Sequence, residues 1–477
     1  MTPSTRIPAE LSRRRWLKHG AALSGALGLG SLGSLLTSAS AAGDDYKALV
    51  CLFYFGGNDG MNMVVPRDAA RHAQYAAVRG ALALPRANLL PLDATYGLHP
   101  SMAALATAIA DGALTAVHNV GPLYAPLTKA QYLGAAAGDP LIPDSLFSHS
   151  DQQLEWEAAT TSAFERTGWG GRAAQVMGST NPVISFGGNA HFGLTDVAGP
   201  WVLPGPGSSF GPNGFSNNAL VQARRTALNR VMAEKQKSPM AEAYAKVQRE
   251  AFELEIRLAG LFGFNADPAA DPTGITNAFL PLISGGSLTT GIARQLYQVS
   301  RFVANRASVQ GTRQVFFVQM GGFDNHSGQI GGTSLDGAHA DLMQQAADGL
   351  AAFWRALKAI GMSDRVTLFT QSDFGRTFTP NESRGTDHAW GNEQLVMGAA
   401  VNGGATFGRY PVLTLGGPDD VGVQAWERQG RWIPAVSVDQ YAATLLRWWG
   451  MTDGQLDLAL PNLRNFGAAR DIGFMRA

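Results

Sequence analysis

The sequence predicts an α/β protein of three layers, a mostly parallel sheet with helices on both faces and a helical insertion. Three observations carry that prediction. Short apolar runs rich in β-branched and aromatic residues recur along the chain, as strands buried on both faces require. Helical patterns lie between them, so successive strands are joined by long crossovers. From about 191 to 306 the alternation gives way to a loop-rich and then helical stretch, which reads as an insertion on one domain because no linker marks a second.

The expected strands are 48–55, 114–120, 315–320 and 366–370. Between the last two, Leu342, Ala346, Leu350, Phe353 and Leu357 recur at helical spacing and predict a helix over about 340–360. A second helix is expected from Ser437, where Ser437 and Gln440 form a capping-box pattern ahead of Tyr441, Leu445 and Trp448. Within the insertion, 191–218 is rich in Gly, Pro and Ser and reads as loop, and 240–262 reads as one long helix.

The N-terminus has its own logic. Arg13-Arg14-Arg15 precedes a weakly apolar stretch over 21–38 and the small residues Ala39-Ser40-Ala41. A basic region, an apolar region and a small-residue cleavage site make an export signal, and the paired arginines point to the twin-arginine route. Residues 1–41 are therefore expected to be removed and 44–477 to form the α/β domain. The translocase is then a partner during export, and the mature chain works in the periplasm or otherwise outside the cytoplasm. So many Gly and Ser residues make the segment a poor permanent anchor, and no stable membrane insertion is expected after cleavage.

Composition removes several function classes. Basic and acidic residues balance at 37 each, which leaves no electrostatic footprint for nucleic acid. The single cysteine, Cys51, lies within an apolar run, so an intrachain disulfide is excluded and core packing is its expected role.

Three of the expected strands run into turns that carry an aspartate. They are Gly56-Gly57-Asn58-Asp59, Gly321-Gly322-Phe323-Asp324-Asn325-His326 and Ser372-Asp373-Phe374-Gly375. In a parallel sheet the carboxyl ends of the strands share one edge, where ligands bind. Gly385-Thr386-Asp387-His388 follows on a Gly-bounded loop. Crowded carboxylates repel unless a cation lies among them, and Asp with His suits Zn, Mn or Mg, so one or two divalent ions are expected. A single Asp at a strand end is otherwise a turn former or a cap.

These turns, with Arg376-Thr377 after the third and the twin-arginine signal before all of them, resemble the bacterial family known as domain of unknown function 1501. That family is placed in the alkaline-phosphatase-like superfamily, with phosphatases and sulfatases. The resemblance implies that Asp59 and Asp373 share one metal while Asp324, His326 and His388 share another. Two departures stand out, since Phe374 occupies a place where the superfamily has a histidine ligand, and Asp324 and His326 are separated by one residue where phosphatases have a longer gap.

The superfamily nucleophile is a Ser, Thr or modified Cys at a helix start. Here the best-placed segment is Phe147-Ser148-His149-Ser150, with Ser148 or Ser150 as attacking hydroxyl and His149 as ligand or acid. The other reading makes Ser150 an N-cap with Gln153 completing a capping box. Arg376 is expected either to clamp a small anionic substrate with its planar fork or to pair with a neighbouring carboxylate. Two functions follow as expectations: an exported metal-dependent hydrolase of phosphate or sulfate esters, or a non-catalytic binding or scaffold protein with a degraded site.

Overall fold

A computed structural model describes residues 45–211 and 218–476, and the expected export signal lies outside them. The strands of the main sheet are β1 (Lys47–Tyr54), β2 (Leu114–Gly121), β3 (Ile184–Ser185), β4 (Trp201–Val202), β5 (Arg313–Met320), β6 (Val366–Ser372), β7 (Asn392–Met397), β8 (Thr406–Gly408) and β9 (Val436–Ser437). They lie in the order β8-β2-β7-β6-β1-β5-β3-β4, with β9 also paired to β2. Every pairing is parallel except the two that β7 makes.

Alternation along β1 shows why the sheet needs helices on both sides. Ala48, Val50, Leu52 and Tyr54 enter one apolar core, and Leu49, Cys51 and Phe53 enter another. The first core is closed by α5 (Gly291–Ala304) and α6 (Ala338–Ala359), which contribute Leu296, Phe302, Leu350 and Phe353. The second is closed by α2 (Trp169–Val176) and α7 (Val438–Trp449), which contribute Trp169, Ala173, Tyr441 and Leu445. The Ser437 hydroxyl accepts from the Gln440 amide and the Gln440 side chain accepts from the Ser437 amide, as the capping-box pattern predicts. Cys51 is buried in the second core, and burial pushes its thiol well up, away from the reactive thiolate.

The insertion carries the helical hairpin α3 (Ala219–Ala233) and α4 (Pro239–Leu258), joined by an ion pair of 2.5 Å between Arg225 and Glu255. The Gly- and Pro-rich stretch holds more than loop, since β4 lies within it and extends the sheet at its edge. Among the described residues, no helix is long and apolar enough to cross a membrane.

Register positions the chemistry. Tyr54 stands level with Met320 on one side and Ser372 on the other, so three parallel strands release their turns at the same height. The turns then pack directly: Gly56 has a φ of +110°, and a Cβ there would lie 2.5 Å from the Asp324 amide nitrogen.

Candidate metal centre

Four side chains converge at this edge. His149, Asp324, His326 and His388 each offer one ligand atom, and all four atoms lie within 4.8 Å of one another. Asp324 and His326 come from the turn after β5, His388 from the loop before β7, and His149 from the first residue of α1 (His149–Ala158). Asp324 Oδ1 lies 3.1 Å from His326 Nε2, 3.3 Å from His149 Nε2 and 3.6 Å from His388 Nε2.

Each imidazole is held by its other nitrogen. His149 Nδ1 lies 2.6 Å from Asp373 Oδ2, His326 Nδ1 2.9 Å from Asp387 Oδ1, and His388 Nδ1 2.7 Å from the Phe147 carbonyl. A carbonyl only accepts and a carboxylate accepts when ionised, so Nδ1 is the protonated nitrogen in all three rings. The Nε2 lone pairs therefore face inward. His326 Nε2 and His388 Nε2 stand 2.8 Å apart, and His149 Nε2 is buried without a hydrogen bond. Lone pairs so close repel unless a proton or a cation lies among them, so the residues fit a divalent metal, with the oxygen acceptors as its outer shell.

The shifts of Asp324 and His388 agree with that arrangement, whereas the carboxylates around His149 favour its protonated form until a cation displaces the proton. The hydrogen bond from His149 to Asp373, reinforced by the Asp373 and Asp324 charges, outweighs partial burial and raises the His149 imidazole. Burial raises Asp324, but the Arg376 hydrogen bond and the neighbouring positive charges outweigh it and hold the carboxyl below its ordinary range. Burial lowers His388 despite its bond to the Phe147 carbonyl, which favours the neutral, ligating form.

Asp59 takes a different place from the one its turn suggests. It is buried, ion-paired to Arg79 from the helix Ala69–Arg79, and its Oδ2 accepts from Gln329 Nε2 at 2.5 Å. Asp373 has separate partners: besides His149, its Oδ2 accepts from Gln153 Nε2 at 2.8 Å and from the Gly56 amide at 3.0 Å. Asp59 and Asp373 thus have different partners, and neither belongs to the one group of three or more ligating side chains found among the described residues. Phe374 is buried with its ring 4.7 Å from the His149 ring and 4.6 Å from the His388 ring, so it packs the imidazoles in place.

Arg376 is correspondingly spent. Nε donates to the Gly57 carbonyl at 2.8 Å, Nη1 to Thr386 at 3.0 Å, and Nη2 to the Gly56 carbonyl and to Asp324 at 2.6 Å. Only 1% exposed, it ties the three turns together and pairs with a carboxylate, the second of its two expected roles, instead of clamping a substrate.

Ser148, not Ser150, occupies the N-cap position of α1, and its hydroxyl makes no capping bond. The two hydroxyl oxygens lie 3.2 Å apart and make no other hydrogen bond among the described residues. Gln153, expected to complete a box with Ser150, is turned to Asp373 instead. Asp373 enters the sequence reading as a metal ligand and not as the acceptor that orients His149, and the orienting roles of Asp387 and the Phe147 carbonyl are absent from it. Of these last two, Asp387 carried a signal, since it is adjacent to His388.

Two turns along α1 from the site entrance, Glu155 is buried with neither carboxyl oxygen hydrogen-bonded, and burial pushes it up to about 10 from 4.5. A folded-state value above the unfolded one favours folding fully below 4.5, and that contribution is lost as pH rises toward 10. Glu155→Gln removes the ionisation, and urea titrations should show it more stable than wild type at pH 8, by about 1–3 kcal/mol, and nearly equal at pH 4.5.

Among solved structures the chain is similar to the PsFucS1 sulfatase from Pseudoalteromonas sp., with 12% identity over 92% of this chain and 74% of that one and a TM-score of 0.34. It is also similar to Ps i-CgsB in complex with k-i-k-neocarrahexaose, with 11% identity over 88% and 77% of the two chains and a TM-score of 0.31. Among curated proteins none matches the sequence significantly. Residues 46–456, which include every member of the cluster and its outer shell, match the model of the family described as "Protein of unknown function (DUF1501)", and the chain belongs to that family.

Proposed function

We propose that this protein is a hydrolase of phosphate or sulfate esters, exported by the twin-arginine route, whose single divalent metal is held by His149, Asp324, His326 and His388. The observation that carries the proposal is the pair of Nε2 atoms 2.8 Å apart, on rings whose Nδ1 protons are already committed to Asp387 and the Phe147 carbonyl. When bound, the metal supplies a Lewis acid at the sheet edge. The chain supplies the rest. Asp373 and Asp387 fix the tautomers of His149 and His326, Arg376 fixes the Asp324 carboxylate, and Ser148 and Ser150 place two hydroxyls at the start of α1 beside His149.

Metal analysis of protein purified without chelator, followed by a panel of phosphate and sulfate esters, tests this reading. About one equivalent of Zn, Mn or Mg is expected, with turnover of at least one ester. Ser148→Ala and Ser150→Ala should then differ, one lowering the rate by orders of magnitude with metal retained and the other costing at most about 1 kcal/mol of stability. A fully loaded protein that turns over no ester would overturn the hydrolase and leave a metal-bearing binding protein. The observation that favours this second reading is that neither serine hydroxyl is bonded to a member of the cluster.

A further inference from the structure

An anionic substrate at this centre needs a cation with free donors, and Arg376, Lys129 and Arg431 differ sharply in that respect. Arg376 has its donors on backbone carbonyls and Asp324. Lys129 donates to the carbonyls of Gly416, Gly417 and Gly422. Arg431 differs from both, and unlike Arg384, whose guanidinium donates to the Gly331 carbonyl, it is bonded directly to a member of the cluster. Its Nε donates to the His388 carbonyl at 2.8 Å, and its guanidinium lies 4.9 Å from the centroid of the Phe147 ring, while Nη1 and Nη2 make no hydrogen bond or ion pair among the described residues.

The neighbouring carboxylates do not neutralise that fork directly. Asp420 is spent on the backbone amides of Gly416, Gly422, Gly430 and Arg431 itself. Asp387 Oδ1 is occupied by His326 and Asn381. Phe147 is held at a φ of +74°, a conformation costly for a bulky residue. That one strained residue aims its carbonyl at His388 and lays its ring under Arg431. Metal ligand and guanidinium are thus fixed by the same two residues, Phe147 and His388.

We propose that Arg431 binds the anionic group of the substrate, its free Nη1 and Nη2 forming a two-point contact with phosphate or sulfate oxygens beside His388. The inference rests on the reading of the site as one that acts on such esters. A planar fork with two parallel donors matches a tetrahedral oxyanion better than a lysine does, and the aromatic ring beneath it holds the fork in one plane.

Calorimetric titration of the metal-loaded protein with inorganic phosphate and with sulfate tests the proposal without turnover. Arg431→Gln and Arg431→Met, the second keeping an apolar stem over Phe147, should weaken anion binding roughly ten- to a hundred-fold with metal content unchanged. On any ester that is hydrolysed they should raise KM more than they lower kcat. Unaltered anion binding in the variants would overturn the assignment while leaving the hydrolase in place, as would loss of metal, which would make Arg431 a positioning residue for His388. Wild-type protein that holds metal but binds neither anion would overturn it too. Phosphate should also slow phenylglyoxal modification of Arg431 in the wild-type protein, and unchanged labelling counts against the contact even if neither variant folds.

Discussion

Asp324→Ala is expected to abolish both metal retention and ester hydrolysis. The carboxylate oxygen it removes lies within 3.6 Å of all three inward-facing imidazole nitrogens, so three rings would be left without an anionic ligand between them. A bound metal contributes several kcal/mol to the transition state, and at about 1.4 kcal/mol per decade its loss lowers kcat/KM on the order of 1,000-fold or more. A stability loss of about 1–3 kcal/mol is expected alongside, because the buried Arg376 loses its carboxylate partner and keeps only backbone acceptors, so metal content is read on protein shown to be folded. Asp387→Asn provides the graded contrast. It weakens the hold on His326 without removing a ligand, and metal affinity should fall about 10- to 100-fold, read by competition with a chelator of known affinity.

Asp59→Ala should show the opposite pattern. Removing the buried partner of Arg79 strands a guanidinium that is 0% exposed, which costs about 3–5 kcal/mol of stability in a denaturant titration. Metal content should stay at the wild-type level. The pH dependence has a definite sign. Burial raises the Asp59 carboxyl, but the Arg79 and His339 charges and the Gln329 hydrogen bond outweigh it and lower it from 3.8, so its contribution is full above that value and lost as pH falls below it. Loss of metal with unchanged stability would return Asp59 to the role its turn suggests.

The contrast between these two aspartates marks how much of the site is legible in sequence. The strand-end turns are readable because a parallel sheet aligns its carboxyl ends, and the β1, β5 and β6 register places those turns side by side. What the turns cannot reveal is which way each side chain goes. Asp59 meets Arg79, a residue at the end of a short helix with no feature that marks it as a partner, while Asp324 faces the opening between three imidazoles. Asp373 lies on the strand-end pattern just as Asp324 does, yet it stands behind His149 as its acceptor. His149 was readable as a ligand or acid only through its place between two serines, because the packing that carries the start of α1 to the ends of β1, β5 and β6 joins residues 224 positions apart. The two arginines exchange roles for a similar reason. Arg376 sits within a motif and Arg431 does not, but burial spends the donors of the first and leaves two of the second free.

The architecture was the more readable part. The four expected strands and the helices over residues 338–359 and 438–449 follow from uninterrupted apolar periodicity. The short strands β3, β4, β8 and β9 contain two or three residues each, too few for alternation to register, and their pairing comes from the sheet edge on which they lie.

X-ray absorption at the edge of the metal bound to wild-type protein tests the central claim most directly. Three inward-facing Nε2 atoms and one Asp oxygen predict one equivalent of metal whose nearest shell contains three imidazoles, with the imidazole signal reduced to two in His388→Ala. A protein that retains no divalent metal, or one whose metal carries no imidazole, would contradict the assignment of His149, Asp324, His326 and His388 as a metal centre.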